Sequence, residues 1–89
     1  MDNQSANDQD IPSEITLRVI GQGGESFKAL VVSIVQEHIP DLEASQVRYR
    51  ESSGGAYSSV ILNISGQSKK QLDALYRDLN NQESVVLVL

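Results

Sequence analysis

The sequence predicts an α+β domain with the element order β-α-β-β-α-β. Three observations carry that expectation. Apolar residues repeat with period 2 in the stretches 15–20, 47–51 and 57–65, the spacing of strands whose side chains alternate between two faces. Between them, Phe27–Val35 and Leu72–Leu79 carry apolar residues at i, i+3, i+4 and i+7, the spacing of one helical face. Glycine-bearing turns, GQGG at 21–24 and SSGGA at 52–56, fall where the period changes or the chain must reverse.

In the first strand Ile15, Leu17 and Val19 share one face, and Thr16, Arg18 and Ile20 the other. The turn Gly21–Gly24 leads without slack into a helix striped by Phe27, Leu30, Val31, Ile34 and Val35, with His38 extending the stripe into the last turn. Val and Ile are modest helix formers, so tertiary packing is expected to hold this helix. Pro40 ends it, because the residue before a proline avoids the helical region. Residues 39–46 return the chain to the sheet, with Leu42 as the expected anchor. Val47 and Tyr49 then alternate with Arg48 and Arg50, and the 52–56 loop makes a hairpin into a third strand. There Val60, Leu62 and Ile64 oppose Tyr57, Ser59, Ile61 and Asn63. Ser68 with Gln71 three residues on reads as a capping box for the second helix. Asn80 and Asn81 suit a left-handed C-terminal cap. VVLVL at 85–89 is apolar on both parities, the pattern of a strand covered on both faces.

Two right-handed crossovers and one hairpin assemble these elements into a four-stranded antiparallel sheet, order 4-1-3-2, with two helices on one face. That is the ferredoxin-like βαββαβ two-layer sandwich. Ile15, Leu17, Val19, Val47, Tyr49, Val60, Leu62, Ile64, Val85 and Leu87 are expected to point toward the helices. Residues 1–13 are polar and aperiodic and read as a disordered tail; residues 14–89 form a single domain.

The totals narrow the function. A chain of 89 residues buries enough surface for a small two-layer core and not for a deep enclosed pocket besides. There is no cysteine, which removes disulfides, thiolate metal sites and a thiol nucleophile. No apolar run reaches bilayer-spanning length, and the N-terminus lacks a signal-peptide pattern, so a cytoplasmic protein is expected. The net charge is −5, but Asp2, Asp8 and Asp10 lie ahead of the domain, leaving nine acids against all seven bases from Glu14 onward. Nucleic-acid binders carry a basic excess, so no nucleic-acid partner is expected.

Several runs carry a resemblance. They are P-x-E-x-x-L-x-V-I-G from Pro12 to Gly21, V-Q-E-H-I-P-D from Val35 to Asp41, the set Val47, Arg50, Ser52, Ser53, Gly55 and Tyr57, and S-x-x-Q-L-D-A-L-Y-R-x-L from Ser68 to Leu79. Together they make the chain resemble the YbeD family of small bacterial cytoplasmic proteins, over about residues 12–89. The resemblance implies a ferredoxin-like fold similar to ACT regulatory domains. It also implies a regulatory role, with a link to lipoate metabolism suggested by the genes that neighbour such proteins. It supplies no catalytic residues and no cofactor.

Two candidate sites emerge. The turn Gly21, Gln22, Gly23 and Gly24 precedes a helix N-terminus, where backbone N–H groups and the helix dipole favour an anion; ACT domains hold effectors at the equivalent turn. The competing reading is a tight turn that needs positive φ. The second candidate is the sheet face away from the helices, where Arg18, Arg48, Arg50, Tyr57, Ser59 and Asn63 would give a cationic, hydrogen-bonding surface. Ile20, Ile61, Val86 and Val88 would add an apolar patch. Docking of a protein partner or homodimerisation through that face is the preferred account of the patch; coverage by the segment around Ile11 is the simpler one. The competing reading of the charges is a solvated face protected from aggregation.

Two more distant readings rest on analogy of fold. An acylphosphatase-like enzyme would use the same turn, but Phe27-Lys28 stands where that enzyme has Phe-Arg, lysine lacks the forked guanidinium, and Glu25 would oppose phosphate. An RNA binder would need stacked aromatics on the third strand, where only Tyr57 is present. His38 is the sole histidine, so no metal site is expected; it suits the C-terminal end of a helix dipole as an imidazolium. Lys69 and Lys70 read as solvated. With no paired carboxylates, triad or metal cluster legible from spacing, catalysis is not expected.

Overall fold

The computed structural model describes residues 14–65 and 67–89. The expected tail, residues 1–13, lies outside the described residues. Four strands and two helices run in the order β1 (Ile15–Gly21), α1 (Glu25–His38), a 3₁₀ turn (Ala44–Gln46), β2 (Val47–Glu51), β3 (Ser58–Ile64), α2 (Lys69–Asn80) and β4 (Val85–Val88). The sheet runs β2-β3-β1-β4, every pairing antiparallel. Read from the other edge, this is the expected order 4-1-3-2, and the arrangement is ferredoxin-like.

Strand alternation produces the core. Leu17 and Val19 of β1 stand beside Leu62 and Val60 of β3 in register, and all four are fully buried. The apolar stripe of α1, led by Phe27, Val31 and Val35, closes on them, as do Leu75 and Leu79 of α2. Leu42 is buried, as its anchoring role requires. Ile15, Val47, Tyr49 and Val85 pack against this cluster from its margins.

The second helix begins as its sequence specifies. The Ser68 Oγ accepts from the Gln71 N–H at 3.2 Å, and the Gln71 Oε1 accepts from the Ser68 N–H at 2.8 Å. Ser68→Ala leaves the Gln71 amide without its partner and is expected to cost about 1 kcal/mol, checked as a lower urea midpoint at unchanged slope. A further side-chain tie fixes the connection ahead of β2. The Glu43 N–H donates to Gln46 Oε1 at 2.8 Å, while Gln46 Nε2 donates to the Asn63 carbonyl at 2.9 Å, which holds the connection to β3.

Three expectations are corrected. Tyr57 lies outside β3, which begins at Ser58. The helix α2 does not end on a left-handed residue: Asn81 is right-handed, with φ −80°, and its N–H bonds back to the Arg77 carbonyl at 3.1 Å. The largest difference is in β4. Ile20 pairs with Leu87 but Gly21 pairs with Val85, so Val86 is the extra residue of a β-bulge. One inserted residue flips the parity of every position beyond it. Val85 and Val88 therefore both pack against the core, while Leu87 is turned out. Strict alternation predicts the reverse, with Leu87 inward and Val88 outward.

Candidate functional site

The two candidate regions lie on opposite sides of the sheet, the turn at the Gly21 end of β1 and the open face along the length of the strands. The turn comes first. Gly23 and Gly24 have φ of 128° and 61°, values that side-chain-bearing residues rarely adopt. They bend the chain sharply enough for Lys28 N–H to make the first helical bond to the Gly24 carbonyl at 3.1 Å. The requirement for positive φ is thus met whether or not a ligand binds.

The groups that face the turn could not be read from spacing. Alternation on β2 puts Tyr49 and Glu51 on the helix side. The Tyr49 hydroxyl donates to Glu51 Oε2 at 2.8 Å and lies 3.3 Å from the Ser58 Oγ. Both the Tyr49 hydroxyl and Glu51 Oε2 stand within van der Waals reach of any side chain placed at Gly24. Lys28 of α1 holds its Nζ 5.8 Å from the centre of the Tyr49 ring. The Ser58 hydrogen bond lowers the Tyr49 pKa. Withdrawal from water, the Glu51 hydrogen bond and the charges of Glu51 and Glu25 outweigh it, so the phenol stays protonated to higher pH than a free tyrosine. The positive end of the α1 dipole faces two of the protein's own acidic side chains, Glu25 in its first turn and Glu51 across the gap. That arrangement repels an exogenous anion. Tyr49 and Glu51 are the residues that sequence reasoning missed here. Their parity on β2 was legible, but their proximity to Gly24 depends on how α1 sits over the sheet.

The open face is the second region. Across it, Arg48 stands opposite Ile61 and Ile61 opposite Arg18; in the next row Arg50 stands opposite Ser59 and Ser59 opposite Ile20. Ile20 in turn pairs with Leu87 of β4. The face thus carries three arginines around an aliphatic centre. Leu87, Val86 and Leu89 are 46%, 59% and 57% exposed, more than apolar residues of a finished surface usually are. Among the described residues, no carboxylate lies within ion-pair distance of Arg18, Arg48 or Arg50. The sequence-predicted set is brought together except at its edges. Asn63 is on the face, but its Oδ1 is taken by the Thr16 hydroxyl at 2.9 Å. Tyr57 is exposed beside the hairpin, and Val88 is replaced by Leu87.

His38 has a structural partner. Its Nε2 lies 2.6 Å from Asp78 Oδ2, joining the last turn of α1 to α2. Among the described residues no group of histidines and carboxylates could hold a metal ion, and no helix is long and apolar enough to cross a membrane.

The fold and site define a class: a small α+β sandwich with one sheet face covered by helices and the other open, arginine-bearing and partly aliphatic. Within that class the chain belongs to the family described as "Protein of unknown function (DUF493)", whose model matches residues 8–89. It is similar to the UPF0250 proteins of Azotobacter vinelandii and Ectopseudomonas mendocina, each 41% identical over 73 residues, covering 82% of this chain and 79% of the relative. The UPF0250 protein of Hahella chejuensis is 34% identical over 80 residues, covering 90% and 88%. The YbeD-like motifs noted in the sequence are in keeping with this membership.

Proposed function

We propose that the chain is a non-catalytic regulatory module of the cytoplasm that acts by docking its open sheet face onto an acidic segment of another protein. The observation that carries this reading is the distribution of charge. The folded part of the chain is slightly acidic, yet the only charged residue that strands contribute besides Arg18, Arg48 and Arg50 is Glu51, whose carboxylate is held on the helix side by Tyr49. A surface that is cationic, aliphatic at its centre and uncovered by helices fits a partner with acidic and apolar residues in alternation. A second copy fits less well, since stacking two such faces would oppose six arginines. The ACT-like alternative, an effector held at Gly21–Gly24, is weaker for an anionic ligand because Glu25 and Glu51 occupy the mouth of that turn.

The test is a fluorescence-anisotropy titration with a labelled peptide of alternating glutamate and leucine. Arg48→Glu is expected to weaken binding by about tenfold or more, the equivalent of about 1.4 kcal/mol. The control Lys69→Glu, on α2, is expected to leave it unchanged. Equal binding by both variants would reject the open face as the docking surface.

A further inference from the structure

The open face is not uniform. At its hairpin end Arg18, Arg50, Glu51, Ser52, Ser53, Ser59 and Ile61 line a cleft of about 330 Å³. The strand register makes this cleft. Arg50 stands opposite Ser59 and Arg18 opposite Ile61, so a guanidinium-bearing side chain flanks the Ser59–Ile61 floor from each neighbouring strand. The hairpin loop closes the end. Ser52 N–H donates to the Tyr57 carbonyl at 2.8 Å, and Ser52 Oγ accepts from Tyr57 N–H at 3.0 Å. That bond uses the Ser52 oxygen as acceptor and leaves its own O–H free to donate.

Among the described residues Glu51 is the one acidic residue that lines the cleft, and strand alternation puts its side chain on the helix side of the sheet with Tyr49. Its Oε2 accepts from the Tyr49 hydroxyl at 2.8 Å and lies next to Gly24. The Tyr49 bond thus holds the Glu51 charge on the side of the glycine turn, away from the arginines of the open face. Among the described residues neither Arg18 nor Arg50 has a carboxylate at ion-pair distance.

We propose that this cleft is a binding site for a phosphomonoester group. This deepens the docking reading, since it lies on the same face, and it names the chemistry recognised at one end. Two guanidiniums match the charge of a phosphomonoester, about −1.5 to −2 at neutral pH, where a single carboxylate would leave one arginine uncompensated. The guanidinium forks donate only, and each of the three serine hydroxyls has one O–H to donate, which suits a group that presents acceptors. The cleft is larger than a phosphate, so the group arrives on a bigger ligand: a small phosphorylated metabolite, or a phosphorylated side chain of the partner.

The experiment is an amide and arginine Nε–H shift titration of the full chain. The probes are inorganic phosphate, phosphoserine, acetate, and the glutamate–leucine peptide with and without one phosphoserine. Saturable shifts at Ser52, Ser53, Ser59, Arg18 and Arg50 are expected with phosphoserine at roughly 10 mM, tenfold above a 1 mM dissociation constant. Acetate is expected to produce none. The double substitution Arg18→Gln with Arg50→Gln should weaken phosphoserine binding at least tenfold, and Lys69→Gln, on α2, less than threefold (about 1.4 and 0.7 kcal/mol). Tighter binding of the phosphorylated peptide than of phosphoserine would assign the group to a protein partner. Equal binding would assign it to a small metabolite. Absence of saturable shifts, equal shifts with acetate, or shifts centred on the start of α2 would overturn the proposal. Binding of the unphosphorylated peptide alone would overturn the phosphate site while leaving the docking face intact.

Discussion

Gly21→Ala is expected to destabilise the protein by about 3 kcal/mol or more. Gly21 is the last residue of β1 and is buried where three elements converge. On one side the chain entering β4 is fixed by the Gln22 N–H, which donates to the Ser84 carbonyl at 3.0 Å. On the other, the Phe27 ring of α1 fills the space a side chain would need. An alanine Cβ would overlap both the Ser84 carbonyl oxygen and the Phe27 ring. The ring could shift, but the backbone oxygen could do so only by moving β4. A domain of this length, at roughly 0.05–0.15 kcal/mol per residue, has about 4–11 kcal/mol in total, so the loss is a large share of it. Urea unfolding of the variant gives the value directly. A loss below about 1 kcal/mol would mean that β4 is far more loosely seated than the register implies.

Phe27→Ala is expected to cost about 3–5 kcal/mol. Phe27 is the largest fully buried side chain and the first core residue of α1. Its removal leaves a cavity under the glycine turn that the fully extended β1 cannot collapse to fill. The two positions are coupled because they occupy the same space. Phe27→Leu should therefore relieve part of the Gly21→Ala penalty. The double variant should be more stable than the sum of the two single losses predicts, by about 0.5–3 kcal/mol. The Ser84 overlap remains, so rescue is incomplete.

The architecture was readable because most elements announce themselves locally. Leu17, Val19, Val60 and Leu62 are placed by parity alone, the start of α2 by Ser68 and Gln71, and the β2–β3 hairpin by its paired glycines. The strand β4 was not, and the reason is physical. In VVLVL every residue is apolar, so no polar position marks the face, and a bulge at Val86 that exchanges Leu87 and Val88 leaves no trace in the pattern. Asn81 misled because asparagine tolerates a left-handed cap without demanding one. The arginines of the open face came from alternation. The cleft among them needed the cross-strand register, which sets Ser59 between Arg50 and Ile20. The turn was legible as a turn, but the carboxylate that guards it comes from β2, twenty-six residues later in the chain than Glu25.

The turn and the hairpin end of the open face thus carry opposite electrostatics, divided by the sheet. Strand alternation puts Glu51 on the helix side, and the Tyr49 hydroxyl holds its charge there. A small chain of this kind has little interior for a ligand, which is why we propose that recognition takes place on the surface the helices leave open.

We place the proposed binding on the open sheet face. Mapping amide shifts of the full chain during titration with the glutamate–leucine peptide tests it most directly. The expected result is a set of shifts on Arg18, Ile20, Arg48, Arg50, Ser59 and Ile61, with Gly23, Gly24 and Phe27 unmoved. Shifts clustered on Gly21–Phe27, or no saturable shifts on the sheet, would contradict it.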